Sequence, residues 1–165
     1  MTADRESNPC ETQAQRLENV YEQLATLLRQ PAVAHRLSTT PGDNEWSAMQ
    51  VIGHMAEMLP YWLSHCHALI AATTETPRFG RALDAPERLA GVERGTTGDP
   101  DEILRGLKDE VQAVANDIRH MSPAACEKTG IHLRRGEMTV AEIIELFIVA
   151  HAEDHLAQVQ AALRT

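Results

Sequence analysis

The sequence predicts an all-α protein, a four-helix bundle, on three observations. Four long segments carry apolar residues at helical spacing, and caps or breakers mark their ends. Hydrophobic residues make up 43% of the 165 and aromatics only 4%. The core is therefore mainly Leu, Ile, Val, Met and Ala, which suit helices better than sandwiches. A long connection, 73–98, separates the second helix from the third. A short loop would force antiparallel neighbours, whereas a long one lets the third helix cross over and run parallel. A chain of this length is expected to be one domain over 1–165, with 1–10 as a flexible tail.

The first helix is expected over 11–30, with Leu17, Val20, Tyr21, Leu24, Leu27 and Leu28 on one face and Pro31 as its stop. Loop residues fill 31–46. Ser47 and Gln50 form a capping box for the second helix, which runs to about Ala72 with a bend expected near Pro60. Within 73–98, only DAPERLAGV suggests a short helix. Asp99 as N-cap, Pro100 and Glu102 open the third helix, which ends near His120. Ser122-Pro123 starts a short helical turn, and TGIHLRRGEM reads as a linker. Thr139 and Glu142 cap the last helix.

The net charge of −9 argues against a nucleic-acid surface, which needs clustered Lys and Arg. The polar N-terminus lacks a signal-peptide run and no stretch reaches the ~20 apolar residues that span a bilayer, so a cytoplasmic protein is expected. Cys10, Cys66 and Cys126 form no CxxC pair, which argues against a disulfide framework or thiolate zinc knuckle. His65-Cys66-His67 cannot converge on one ion, because adjacent helical residues point in different directions.

In the last helix, Val140, Ile144, Phe147, Ile148, His151, His155, Gln158 and Ala162 fall on one face at 100° per residue. Two histidines one turn apart on an apolar stripe need a partner, and a divalent metal can serve both. His54 can face them across the bundle from a more polar face shared with Gln50, Glu57, Met58 and Tyr61, a placement that suits the mouth of a cleft. Three imidazoles match the protein-ligand count of catalytic zinc, with a coordination position left open. Nickel, iron or manganese would also fit the donor set, with zinc or nickel in front. The plainer alternative is histidines that hydrogen-bond one another. His65 lies ~16 Å along the helix from His54, too far to share an ion. His35, His67, His120 and His132 are expected at the surface or in caps. Glu57 is a candidate base or imidazole partner, Gln158 a candidate orienting group, and Trp46 a packing plug. Arg78, Arg81, Arg88 and Arg94 in the crossover could draw in an anionic small molecule, with Arg78 and Arg81 the candidates for contacting it.

Trp46-Ser47 followed by His54, with His151-Ala-Glu-Asp-His155 and Gln158, resembles the DinB/YfiT-like superfamily of metal-binding four-helix bundles, over nearly the whole chain. The resemblance implies the up-down-down-up bundle and places His54, His151 and His155 at the metal-ligand positions. It also implies a dimer. Members include thiol transferases using bacillithiol or mycothiol, a mycothiol-dependent maleylpyruvate isomerase group, and proteins without an assigned reaction. The isomerase branch tends to carry glutamate at the place of His151, so the all-histidine set leans away from it. The expected function is a metal-dependent thiol S-transferase or hydrolase acting on a small molecule, with a low-molecular-weight thiol as a further cofactor in the first case. The alternative is a non-catalytic bundle that binds metal or a small molecule.

Overall fold

The computed structural model describes residues 9–164. Four long helices carry the core: α1 (Pro9–Leu28), α2 (Ala48–Ala71), α4 (Pro100–His120), and a final segment made of α6 (Val140–Ile143), a π-helical turn (Ile144–Val149) and α7 (Ala150–Ala162). Between them lie β1 (Arg78–Phe79), α3 (Pro86–Thr97), the short α5 (Pro123–Cys126), β2 (Thr129–His132) and β3 (Gly136–Thr139). α4 packs against both α1 and α2, and α7 against the same two, so α1 and α2 face each other diagonally. Leu17 and Leu24 of α1, Met55 and Leu59 of α2, Leu107 and Ile118 of α4, and Ile143 and Ile144 meet in the fully buried centre.

The cap chemistry expected from sequence is realised. The Ser47 hydroxyl accepts from Gln50 N at 3.2 Å while the Gln50 side chain accepts from Ser47 N at 2.8 Å. Thr139 and Glu142 repeat this arrangement, and Asp99 accepts from Glu102 N at 3.0 Å. Pro9 and Cys10 belong to α1 rather than to a tail, and Cys10 is buried; the remainder of the expected tail, 1–8, lies outside the described residues. α2 continues through Pro60.

Three features depart from the sequence expectation. The linker TGIHLRRGEM is a β-hairpin, β2 antiparallel to β3, and β1 from the crossover pairs parallel with β2. Such short strands offer no alternation to read, and one partner lies about fifty residues away. α3 spans 12 residues, longer than the expected DAPERLAGV piece. It docks on α2 through glycines. A methyl group at Gly53 would strike the Gly91 carbonyl oxygen, and one at Gly95 would strike that of Met49. A helix that packs by backbone approach carries no apolar stripe, which is why periodicity missed it.

The third departure is the π-helical turn. Its i→i+5 bonding admits an extra residue and shifts the phase of everything beyond it. The buried face of α7 therefore centres on Ala152, Leu156 and Val159, and the histidines sit on its shoulder rather than in mid-stripe. Arg16 of α1 links the turn to α7, binding Glu145 inside the turn at 2.9 Å and Glu153 beyond it at 2.7 Å. These groups are about a third exposed, so the clamp contributes at most ~1 kcal/mol.

Candidate metal centre

His54, in the second turn of α2, meets His151 and His155 of α7. One ligating atom from each lies within 4.8 Å of the others, so the three could hold a metal ion. The ring centroids stand 4.5 Å apart for His151–His155, 4.9 Å for His54–His155 and 6.0 Å for His54–His151. Nitrogens around a tetrahedral ion with ~2.1 Å bonds are about 3.4 Å apart, so closure asks only for small side-chain movements.

His155 Nδ1 lies 2.9 Å from Gln158 Oε1, an amide oxygen that can only accept, so Nδ1 donates and Nε2 keeps its lone pair. Nε2 is buried with no hydrogen-bond partner among the described residues. Burial, reinforced by His151, pushes the His155 imidazolium down to about 3. Burial and His54 push that of His151 down to about 4. Both rings are therefore neutral at pH 7 and free to act as ligands.

His54 was expected at a cleft mouth, but it is only 2% exposed. The glycine-mediated approach of α3 to α2 closes over this face, and Trp46 packs edge-on at 5.3 Å. Glu57 Oε2 stands 3.7 Å from His54 Nδ1, beyond hydrogen-bond length, and Nδ1 has no closer partner. Glu57 itself is gripped by both terminal guanidinium nitrogens of Arg81, whose planar group also stacks 3.9 Å over Tyr61. Burial pushes the Glu57 carboxyl up, but His54 and Arg81 together outweigh it and hold it at about 2.

A cavity of about 380 Å³ opens onto His54 and His151. Phe147 stacks on Trp62 at 4.4 Å and on His132 at 5.1 Å to form one apolar wall. Arg81, Arg88, Arg134 and Arg135 also line it. A second cavity, about 560 Å³, reaches His155 and Gln158 past Trp46 and Arg88. Trp46 is thus part of a cavity wall as well as a plug.

Of the other expected residues, Arg78 is exposed and does not line either cavity. His132, expected at the surface or in a cap, is buried in the hairpin, and its Nδ1 caps the turn by accepting from the backbone N–H groups of Arg134 and Arg135. His67 and His120 are exposed, as expected, as is His35. Sequence reasoning missed Trp62, on α2, and His132, Arg134 and Arg135, which reach the site only through the hairpin and the β1–β2 pairing.

A sequence model described as the DinB superfamily matches residues 11–159. No curated protein matches the chain by sequence. Among solved structures, the chain is similar to YfiT from Bacillus subtilis, described as a probable metal-dependent hydrolase with an unusual four-helix bundle topology. The match has a TM-score of 0.71 at 20% identity and covers 99% of this chain and 89% of that one. The four-helix bundle is therefore the shared fold.

Proposed function

The chain belongs to the DinB superfamily, and we propose that it is a metal-dependent enzyme acting on a small molecule, with His54, His151 and His155 holding one divalent transition ion, zinc or nickel. The observation that carries this reading is the buried, unpartnered Nε2 of His155, whose ring is already oriented by Gln158. An acceptor left in that state costs ~1–3 kcal/mol, and a bound ion removes the cost. A donor set made only of imidazoles suits zinc or nickel and not magnesium or calcium.

With three protein ligands and an open position, such an ion supplies Lewis-acid chemistry, polarising a substrate group or making water or a thiol easier to deprotonate. The chain's own residues set the stage for that chemistry. Gln158 holds the His155 tautomer, and Arg81 holds Glu57 beside His54. Held at about 2, Glu57 is a positioning carboxylate and not a proton acceptor at neutral pH. Trp62, Phe147 and His132 give one wall of the cavity stacked ring faces.

A hydrolase reading is supported by the description of YfiT. A thiol-transferase reading, with a low-molecular-weight thiol as second reactant, is favoured by a different observation. The histidines are reached from two cavities, one at His54 and His151 and one at His155, which gives room for two reactants.

Metal content of the protein and of His155→Ala, measured by mass spectrometry, is the first test. About one equivalent, lost in the variant, supports the site. Ester turnover without thiol then supports the hydrolase, and thiol-dependent conjugation of a chloronitrobenzene supports the transferase. Metal with neither activity leaves a binding bundle. No metal after dialysis against zinc and nickel rejects the proposal.

A further inference from the structure

The cavity over His54 and His151 carries a charge pattern at odds with the rest of this acidic chain. Arg88 comes from α3, and Arg134 and Arg135 come from the β2–β3 turn, so three separate arginines converge on one rim. None of the three meets a carboxylate among the described residues. Arg88 donates to the Leu83 carbonyl at 2.6 Å and lies 4.8 Å over Trp46, and Arg135 lies 5.5 Å over Phe147. Arg81, which lines the same cavity, is by contrast committed to Glu57. Glu57, whose charge is felt at Arg88, is taken up by Arg81.

A second observation comes from the opposite wall. Trp62 lines the same cavity and is 7% exposed, yet its buried indole N–H has no acceptor among the described residues. Indole nitrogens buried this deeply ordinarily find a partner. The wall thus combines apolar ring faces with an unmet donor, beside a rim of guanidinium groups that no carboxylate among the described residues neutralises.

We infer that this cavity binds a small organic anion, its carboxylate held by Arg134, Arg135 and Arg88 and its apolar body laid against Trp62 and Phe147. A volume of about 380 Å³ lies at the small end of ligand sites and suits a compact acid. Guanidinium forks match carboxylates in two-point geometry, which makes the acid function the main discriminating feature. The inference names the substrate class of the proposed enzyme and rests on that reading for its meaning, but the binding itself needs no turnover.

The test is isothermal titration of 3-phenylpropanoate, its neutral amide and inorganic phosphate into the metal-loaded protein, with metal content measured on the same samples. The acid is expected to bind at least about tenfold more tightly than the amide or phosphate. Arg134→Gln/Arg135→Gln, on an exposed turn, should weaken the acid by about tenfold or more and leave metal content unchanged; Arg88→Gln should act in the same direction. Equal binding of acid and amide overturns the anion site, and equal binding of phosphate overturns the apolar wall. Metal present without acid binding sinks this inference alone. Acid binding by a protein that takes up no metal sinks the proposed enzyme and keeps the anion site.

Discussion

The Gln158 side chain accepts a hydrogen bond from His155 Nδ1 at 2.9 Å, one turn further along α7. That contact chooses which imidazole nitrogen is left to bind a metal. Gln158 is itself exposed, so its loss is expected to spare the fold. Gln158→Leu should weaken metal binding by about 10–100-fold with an unchanged melting temperature for the metal-free protein. A chelator competition titration reads the first quantity. Unchanged affinity would mean that the amide does not position the ring.

Stability of the metal-free protein should fall as pH drops below neutrality. The folded-state values of His151 and His155, about 4 and about 3, lie below the ordinary histidine value, so the unfolded chain binds more protons through the window between them. Unfolding free energy therefore rises with pH across roughly pH 4 to 6.5, by up to ~1.4 kcal/mol per pH unit for each histidine. Denaturant midpoints at pH 7, 6 and 5 would display the slope. His151→Gln/His155→Gln should flatten it, and an equal slope in that variant would refute the assignment.

Removing Arg81 alone should cost more than removing it together with Glu57. Both side chains are largely buried, so Arg81→Met strands a carboxylate and is expected to cost about 3–5 kcal/mol. Arg81→Met/Glu57→Leu leaves no stranded charge and should recover a good part of that. Thermal melts of the two variants decide it, and a milder single variant would show that the pair contributes little.

Gly95→Ala should loosen the α2–α3 contact, because the added methyl meets the Met49 carbonyl and Gln50 Cα. A loss of about 1–3 kcal/mol is expected. Gly106, in the middle of α4 with open space around it, is the control. Gly106→Ala should stabilise by about 0.5–1 kcal/mol. Chemical denaturation of both variants tests the pair, and a neutral Gly95→Ala would mean that the helices can separate cheaply.

The bundle and the His151–His155 pair were legible because both depend on local spacing. Ser47 with Gln50 and Thr139 with Glu142 announce helix starts within four residues, and His151 and His155 share a face whatever lies around them. What stayed hidden depends on contacts distant in sequence. His132 looks like a linker residue until Arg78 and Phe79 pair with Ile131 and His132. The deep burial of His54 follows from glycines on α3, whose contribution is the absence of a side chain. The π-helical turn at Ile144–Val149 has no composition signal, and it moved the histidines from mid-stripe to shoulder.

The three-stranded sheet is small, but it ties together parts that otherwise have little connection. β1 leads into Arg81, the β2–β3 turn bears Arg134 and Arg135, and β3 runs directly into the Thr139 cap of the last helix. Its cross-strand amides include Ile131 N, bound to Pro77 O at 2.8 Å, and Leu133 N, bound to Phe79 O at 3.0 Å. Because those bonds must break for the rim to lift, their hydrogen exchange is a gauge of how often the cavity opens. A ligand seated beneath the rim should slow Ile131 and Leu133 together, and the ratio of their exchange rates with and without it gives the free-energy coupling between cavity and sheet.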